Sequence, residues 1–274
     1  MAIFGRRKDN PEARMSIGDH LREFRNRAIV AGVAILLCCI IGWHYYQNIY
    51  DFIEQPFRDY QHAHPEAHVE VAFNAVTAPF NLKLKVVAWA GLILAAPVWL
   101  WQIWAFLVPG LTPREKRVGR IFVASAIVLF ACGVYMGSLT FGNAVEMFIS
   151  ATPRGAANFA DGGMYFSFVT RFILSFGLTF MLPILLLALN AVGVLKGRIM
   201  LKGWRFAVII AVAFAAIMTP TPDVYTMFLM AVPLIVLFFG SAGLALALDA
   251  WRARKEKHER PAWMDVSDDQ ASAL

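Results

Sequence analysis

Charge is scarce in this chain. Only 16% of its 274 residues are Asp, Glu, Lys or Arg, while 59% are hydrophobic. A soluble domain usually carries about 25% charged residues, so an ordinary water-facing fold is excluded. Cysteine is sparse as well. Cys38, Cys39 and Cys132 all lie inside apolar runs and read as small buried hydrophobes, not as a disulfide framework. There is no metalloprotease His pair, nucleophile elbow, P-loop or dinucleotide fingerprint. The apolar centres of the long runs hold no Asp, Glu or Lys, although proton relays and ion pathways use such groups. No internal repeat of the inverted-transporter kind is present. An enzyme is thus disfavoured most, and a small-solute secondary transporter stands as the alternative reading, weakened by the missing midplane charge and repeat. His62, His64 and His68 sit in a polar loop and read as a solvated cluster. No cofactor, metal or catalytic residue is expected.

What the chain does have is apolar length. Runs at 28–46, 86–108, 118–141, 166–194, 206–218 and 225–248 stand out. About 20 apolar residues in helical form cross a bilayer, where each backbone group must be satisfied internally. The reading is an all-α polytopic membrane protein with six transmembrane helices. The fourth run is long enough to tilt. The fifth is short, and a count of five follows if it only re-enters the membrane. Pro97, Pro183 and Pro233 interrupt spans two, four and six. Each removes a helix bond and bends its helix, which suits a cupped bundle. Gly133 and Gly137, four residues apart, permit close helix contact in span three.

Orientation follows from the basic residues. Twenty of the 25 Lys and Arg fall before span one, between spans two and three, between spans four and five, or after span six. The alternate loops hold only Arg58 and Arg154, with Lys83, Lys85 and Arg171 at span edges. Both termini are therefore expected in the cytoplasm, and the net charge of +6 is a topology signal that invokes no nucleic acid. The first run starts too late after Arg6-Arg7-Lys8, and ends too aromatically, to be a cleaved leader. Three parts follow: a cytoplasmic segment 1–27, a membrane domain 28–248, and a charged tail 249–274 expected to be largely irregular.

Acid is rare on the basic face. Between spans it carries one carboxylate, Glu115; the N-terminal segment adds Asp9, Glu12, Asp19 and Glu23. Thr112-Pro113-Arg114-Glu115 reads first as a capping box opening span three. Ser16-Ile17-Gly18-Asp19 is a second such start and Thr221-Pro222-Asp223 a third. A lone carboxylate among arginines is also a docking point for a cationic peptide, and spacing alone does not choose between the two roles.

Longer blocks carry a resemblance. Met15-Ser-Ile-Gly-Asp-His20-Leu21-Arg-Glu23-Phe-Arg25-Asn-Arg27 resembles the signature that precedes the first span in the TatC family of twin-arginine translocase components. Gln102-Ile-Trp104-Ala-Phe106-Leu-Val-Pro109-Gly-Leu-Thr-Pro-Arg-Glu115 resembles that family's first cytoplasmic loop. Tyr165-Phe-Ser167-Phe168, Phe176-Gly177, Phe180, Thr219-Pro-Thr-Pro-Asp223 and Pro233 follow in order. The resemblance implies a six-helix cupped fold, no catalysis, and a receptor for twin-arginine signal peptides in the bacterial cytoplasmic membrane, driven by the proton-motive force. It maps Glu23, Arg25, Phe106 and Glu115 onto signal-recognition positions, and Pro56 and Asp223 onto functionally sensitive ones. It implies the single-span TatA and TatB subunits and further copies of the chain as partners. The sequence departs from the pattern where Phe24 and Ala28 replace leucines. Met181 stands two before the span-four proline, where many members have glutamate, and Met227 stands at an often polar position of span six. Contact with a TatA or TatB helix at these methionines is expected to be apolar packing.

Overall fold

The computed structural model describes residues 17–65, 69–107, 113–153, 158–218 and 224–259. Helix α1, Ile17–His44, leads into α2, Tyr46–Ala63, and a short strand β1, Val69–Ala72. Helices α3, Ala78–Leu94, and α4, Ala96–Leu107, follow as a bent pair. Then come α5, Pro113–Ser150, strand β2, Asn158–Asp161, and the pair α6, Gly162–Phe180, and α7, Leu182–Ala191. A short α8, Gly197–Lys202, precedes α9, Trp204–Met218, and α10, Val224–Glu259. The end of the bundle where α1 begins is the basic end, and the opposite one the far end.

Lipid, not water, is the solvent that this surface fits. Leu36 and Ile40 of α1 are 68% and 67% exposed, and Val128, Phe228 and Val236 also project outward. Four helical runs are long and apolar enough to cross a membrane: α1, α5, α6 with α7, and α10. The pair α3 and α4 makes a fifth when taken together. Helix α9 is apolar, but at 15 residues it reaches only about 22 Å, against roughly 30 Å of hydrocarbon.

Two of the three expected proline interruptions are real breaks. Between α3 and α4 the axis turns by 56°, two residues before Pro97. The Leu92 carbonyl there accepts a bond from the Trp99 indole N–H, at 3.0 Å. A donor from the chain itself thus takes the place of water that hydrocarbon cannot supply. The α6–α7 break falls at Met181, two residues before Pro183. Pro233 differs, because α10 runs through it unbroken. A single proline removes one helix bond, and α9 packed alongside holds the remaining turns together.

The centre of the molecule is the α5–α6 contact. Phe141, Phe166, Val169, Phe172 and Phe176 are buried there, with Leu82 and Met230 from the neighbouring helices. Gly133 and Gly137 let the two backbones approach. A Cβ on Gly133 would lie 2.5 Å from the Phe176 carbonyl oxygen, and one on Gly137 2.9 Å from the Phe176 Cβ. Gly177 of α6 answers them, since Phe130 and Val134 pack where its side chain would be.

The far end holds structure that hydropathy alone did not reveal. Helix α2 is amphipathic and packs Ile53 and Phe57 into the core. The Tyr165 hydroxyl of α6 donates to the Ile53 carbonyl, one turn before Pro56. Strands β1 and β2 pair in parallel, from Val69 opposite Asn158 to Ala72 opposite Asp161. A purely helical description is corrected by this small ribbon. Lys83 sits over the Trp43 ring, 4.1 Å from its centroid, as a membrane-edge cation does on an aromatic belt. His64 stacks on Tyr60, while His68 lies outside the described residues.

Several boundaries move. Spans two and three start or end roughly two turns beyond the apolar runs, at Ala78 and at Ser150. The tail expected to be irregular from 249 is helical as far as Glu259, and residues 260–274 lie outside the described residues. Residues 251–259 carry Trp, Ala, Arg, Lys and Glu, mostly good helix formers that propagate a helix already nucleated in the membrane. Cys132 is exposed on the outer surface and Cys38 and Cys39 are half-buried, so the cysteines are less enclosed than expected.

The glycine contact yields a direct test. Gly133→Ala is expected to destabilise the purified protein by about 1–3 kcal/mol, because backbone must shift to admit the methyl group. Gly32→Ala, where nothing lies within 4 Å, should leave the melting temperature in detergent unchanged. Equal melting temperatures for the two variants would refute the close α5–α6 approach.

Candidate functional site

At the basic end, α1 and α4 bring together residues about 80 positions apart in sequence. Helix α1 begins at Ile17 with Asp19 in its first turn. One face of its next two turns then presents His20, Glu23, Phe24 and Arg27, which share a side at helical spacing. Arg27 binds Glu23 through two nitrogens: Nη2 donates to Oε1 at 2.7 Å and Nε at 3.3 Å. Its third nitrogen, Nη1, donates to Gln102 Oε1 of α4 at 3.3 Å. The planar guanidinium fork makes such a bridge possible, where a lysine ammonium would hold one partner less firmly. Glu23 is mostly covered, its side chain 17% exposed. Its second oxygen, Oε2, is buried with no hydrogen-bond partner among the described residues. An unmet carboxylate oxygen in a covered place is a strong acceptor waiting for a donor.

An aromatic stack sits beside it. Phe106 of α4 stacks on His20, with centroids 4.3 Å apart, and meets Phe24 edge-on at 5.5 Å. Phe24 therefore occupies the position of a family leucine with a contact of its own. Trp104 of the same helix packs against Gly119 of α5, and its indole N–H is buried without a partner. Helix α5 opens at Pro113, the residue type that suits a first helical position. Glu115 stands two residues further on, in the first turn at the same end. Thr112, and the Glu115 side chain, lie outside the described residues.

The remaining expected residues are spread over the molecule. Arg25 is exposed on α1 and bonds Asn26 at 3.4 Å, so the cation that meets Glu23 is Arg27. Pro56 lies inside α2 at the far end, its ring 3.9 Å from where a Cβ on Gly142 would stand. Asp223, with Thr221 and Pro222, lies outside the described residues, and α10 starts just after them at Val224. Met181 lies at the α6–α7 break, packed near Ala96, Leu100 and Phe130. Met227 packs against the central cluster instead, so the two methionines do not share one cluster. Met181 lines an apolar groove of about 620 Å³ walled by α4, α5, α6, α7, α9 and α10. Thr179 lines it too, 4% exposed, with its hydroxyl oxygen unpartnered.

Sequence reasoning missed a second polar cluster at the basic end. Asp249 of α10 accepts from the Asn190 side-chain amide at 2.9 Å and from the Gly197 backbone N–H at 2.8 Å. Arg252 reaches back to the Asn190 carbonyl and amide oxygens at 3.2 and 3.3 Å. Asn190 is 1% exposed. The cluster ties the loop after α7 to the last helix, while Gly193, at φ 83°, turns the chain in the left-handed region. The Asp249–Arg252 spacing was a visible helical pair; Asn190 and Gly197 gave no signal.

These features define a polytopic helical membrane protein with a polar cluster at one end and no catalytic constellation among the described residues. Comparison with known proteins gives the family. Residues 19–233 match the model of the Sec-independent protein translocase protein family, TatC. The TatC protein of Rothia mucilaginosa is 36% identical over 250 residues, covering 91% of this chain and 85% of that protein. That of Deinococcus radiodurans is 34% identical, covering 90% of each. A crystal structure described as the twin arginine translocase receptor TatC superposes with a TM-score of 0.70 at 29% identity. It covers 82% of this chain and 97% of that one. The chain belongs to the TatC family of Sec-independent protein translocases. It is therefore a component of a protein transport system in a membrane and not an enzyme.

The Glu23–Arg27 pair can be weighed by a double-mutant cycle. Glu23→Gln, Arg27→Gln and the double variant should show a coupling of about 0.5–1 kcal/mol in detergent melts, as a partly exposed pair gives. Additive effects would mean that the pair is not formed in solution.

Proposed function

We propose that this chain is the receptor and core subunit of a twin-arginine protein translocase, and that its basic end binds the signal peptide. The observation that carries the reading is the covered Glu23 carboxylate. One oxygen is held by Arg27 and the other has no partner among the described residues, while the next residue, Phe24, meets the Phe106 ring. A guanidinium from a twin-arginine peptide satisfies the free oxygen, with Phe106 offering a cation–π face. Glu115, at the start of α5, takes the second guanidinium, and Arg25 flanks the site. The surrounding arginines repel generic basic peptides, so recognition requires the planar fork that lysine lacks.

The wider reading completes the system. The chain crosses the bacterial cytoplasmic membrane six times, with α9 as the short fifth crossing and both termini in the cytoplasm. The basic end is then cytoplasmic, as the distribution of Lys and Arg favours. The single-span TatA and TatB subunits are its partners, further copies of the chain join the complex, and the proton-motive force drives transport. A partner helix packs along Met181 and Met227, while Pro56 and Asp223 shape the far end that the complex needs.

Two experiments test these statements. Detergent-purified protein should retain a twin-arginine precursor and release its twin-lysine variant. Glu23→Gln and Glu115→Gln should each abolish retention without loss of folding. Glutamine serves a capping box as well as glutamate does, so normal retention by Glu115→Gln would leave capping as its whole role. Reporter fusions after Asp161 should report the periplasm and fusions after Lys257 the cytoplasm. A periplasmic tail would overturn the six-span arrangement.

A further inference from the structure

At the basic end, α8 lies directly on the last helix. A Cβ on Gly197 would stand 2.6 Å from the Leu246 backbone nitrogen, and the Gly197 N–H donates to Asp249. This contact sets the two neighbours of the glycine, Lys196 and Arg198, beside α10 at the level of Asp249. Lys202 follows Arg198 four residues on, on the same side of α8, and Arg205 lies in the first turn of α9. Arg254 stands about 7.5 Å further along α10 than Asp249, at 1.5 Å per residue. These cations are all exposed. None of them makes an ion pair among the described residues.

The described carboxylate of this face, Asp249, is already committed. Its two oxygens accept from Asn190 and Gly197, and Arg252 lies 3.7 Å away. Further acid comes with the chain that follows α10. Residues 261–274 hold Asp265, Asp268 and Asp269 and no Lys or Arg. Helix α10 runs to Glu259, and Pro261 is a residue type that does not extend a helix. The reach suffices. Glu259 stands about 15 Å beyond Asp249 along the helix axis. Six residues of extended chain span up to roughly 20 Å, so Asp265 can return to that level, and Asp268 and Asp269 have length to spare.

We propose that residues 261–274 fold back and dock, through Asp265, Asp268 and Asp269, on the basic face made by Lys196, Arg198, Lys202, Arg205 and Arg254. Opposite charge selects this face, and the covalent link to α10 keeps the carboxylates at high local concentration beside it. Several carboxylates on one strand also suit several neighbouring cations better than a single small anion does. Docked, the segment neutralises a face that otherwise draws anionic partners. It also withdraws three loose carboxylates from competition with Glu23 for a cationic peptide. That consequence rests on the signal-peptide reading; the contact itself does not.

The test uses the full chain in phosphatidylcholine nanodiscs, treated with a carbodiimide that joins a carboxylate to an amine in direct contact. Mass spectrometry should find peptides from 261–274 linked to Lys196 or Lys202, with a yield that falls as salt rises. Binding of a fluorescent polyglutamate peptide gives a second readout. The triple variant Asp265→Asn, Asp268→Asn, Asp269→Asn should bind that peptide roughly tenfold more tightly than the wild type, as three exposed pairs allow. A chain ending at Arg260 should behave in the same way. Absence of the links, or equal peptide binding by wild type and both variants, overturns the proposal. Links found only between copies, in mixed light and heavy protein, would assign the contact to a second copy of the chain. Links lost when phosphatidylglycerol enters the nanodisc would give the face to lipid head groups. A gain on truncation without a gain in the triple variant would mean covering without charge. Each of these results refutes the docked segment. Retention of a twin-arginine precursor, measured on the same samples, reports on Glu23 separately, so failure here would leave the signal-peptide reading untouched.

Discussion

The shape of this protein depends on one constraint: in hydrocarbon, a backbone group released from a helix must find its partner within the chain. Three places where a helix bends or ends show the answer. At the α3–α4 break the Trp99 indole bonds the Leu92 carbonyl. Near Pro56 the Tyr165 hydroxyl bonds the Ile53 carbonyl. At the end of α7, Asn190, Asp249 and Arg252 collect the loose backbone groups of the following loop. These donors and acceptors let the helices depart from straight rods while their backbone groups stay paired. The bends in turn allow α4, α7, α9 and α10 to stand around a groove, where straight helices would close on one another.

The constraint also marks what was legible in the sequence. Apolar runs show where lipid is, so four spans and the bent pair α3–α4 were found, and Pro97 and Pro183 showed where helices break. Pro233 is the same residue type in the same kind of run, yet α10 continues through it, because packing and not proline alone decides a break. Helix α2 escaped notice although Tyr46, Ile49, Tyr50, Ile53, Phe57 and Tyr60 recur at helical spacing. The polar residues between them hid the stripe from a search for unbroken length. The β1–β2 pairing joins segments nearly 90 residues apart, and no local pattern announces a partner at that distance.

The polar cluster at the basic end divides in the same way. Glu23 and Arg27 are four residues apart on one helix, so their pairing was available from spacing. Gln102 completing that pair, and Phe106 stacking on His20, depend on how α4 returns after its 56° turn. The bend at Pro97 and the polar cluster are thus parts of one arrangement. Were α3 and α4 one straight helix, Arg27 would lose its bond to Gln102, and Phe106 its contacts with His20 and Phe24.

Membrane interiors weaken one familiar argument about the groove lined by Met181. Its walls are apolar, but lipid tails are as apolar as any partner helix, so burying those walls brings no hydrophobic gain. Discrimination there has to come from close packing and from polar groups that hydrocarbon cannot satisfy. Among the described residues, one side chain lining the groove fits the second condition. Thr179 is buried, faces the groove and has an unpartnered hydroxyl. The flexible Met181 adapts to whatever shape is offered and selects little. A helix packed into that groove would meet one polar demand, the Thr179 hydroxyl, and otherwise the contour of the α6–α7 break.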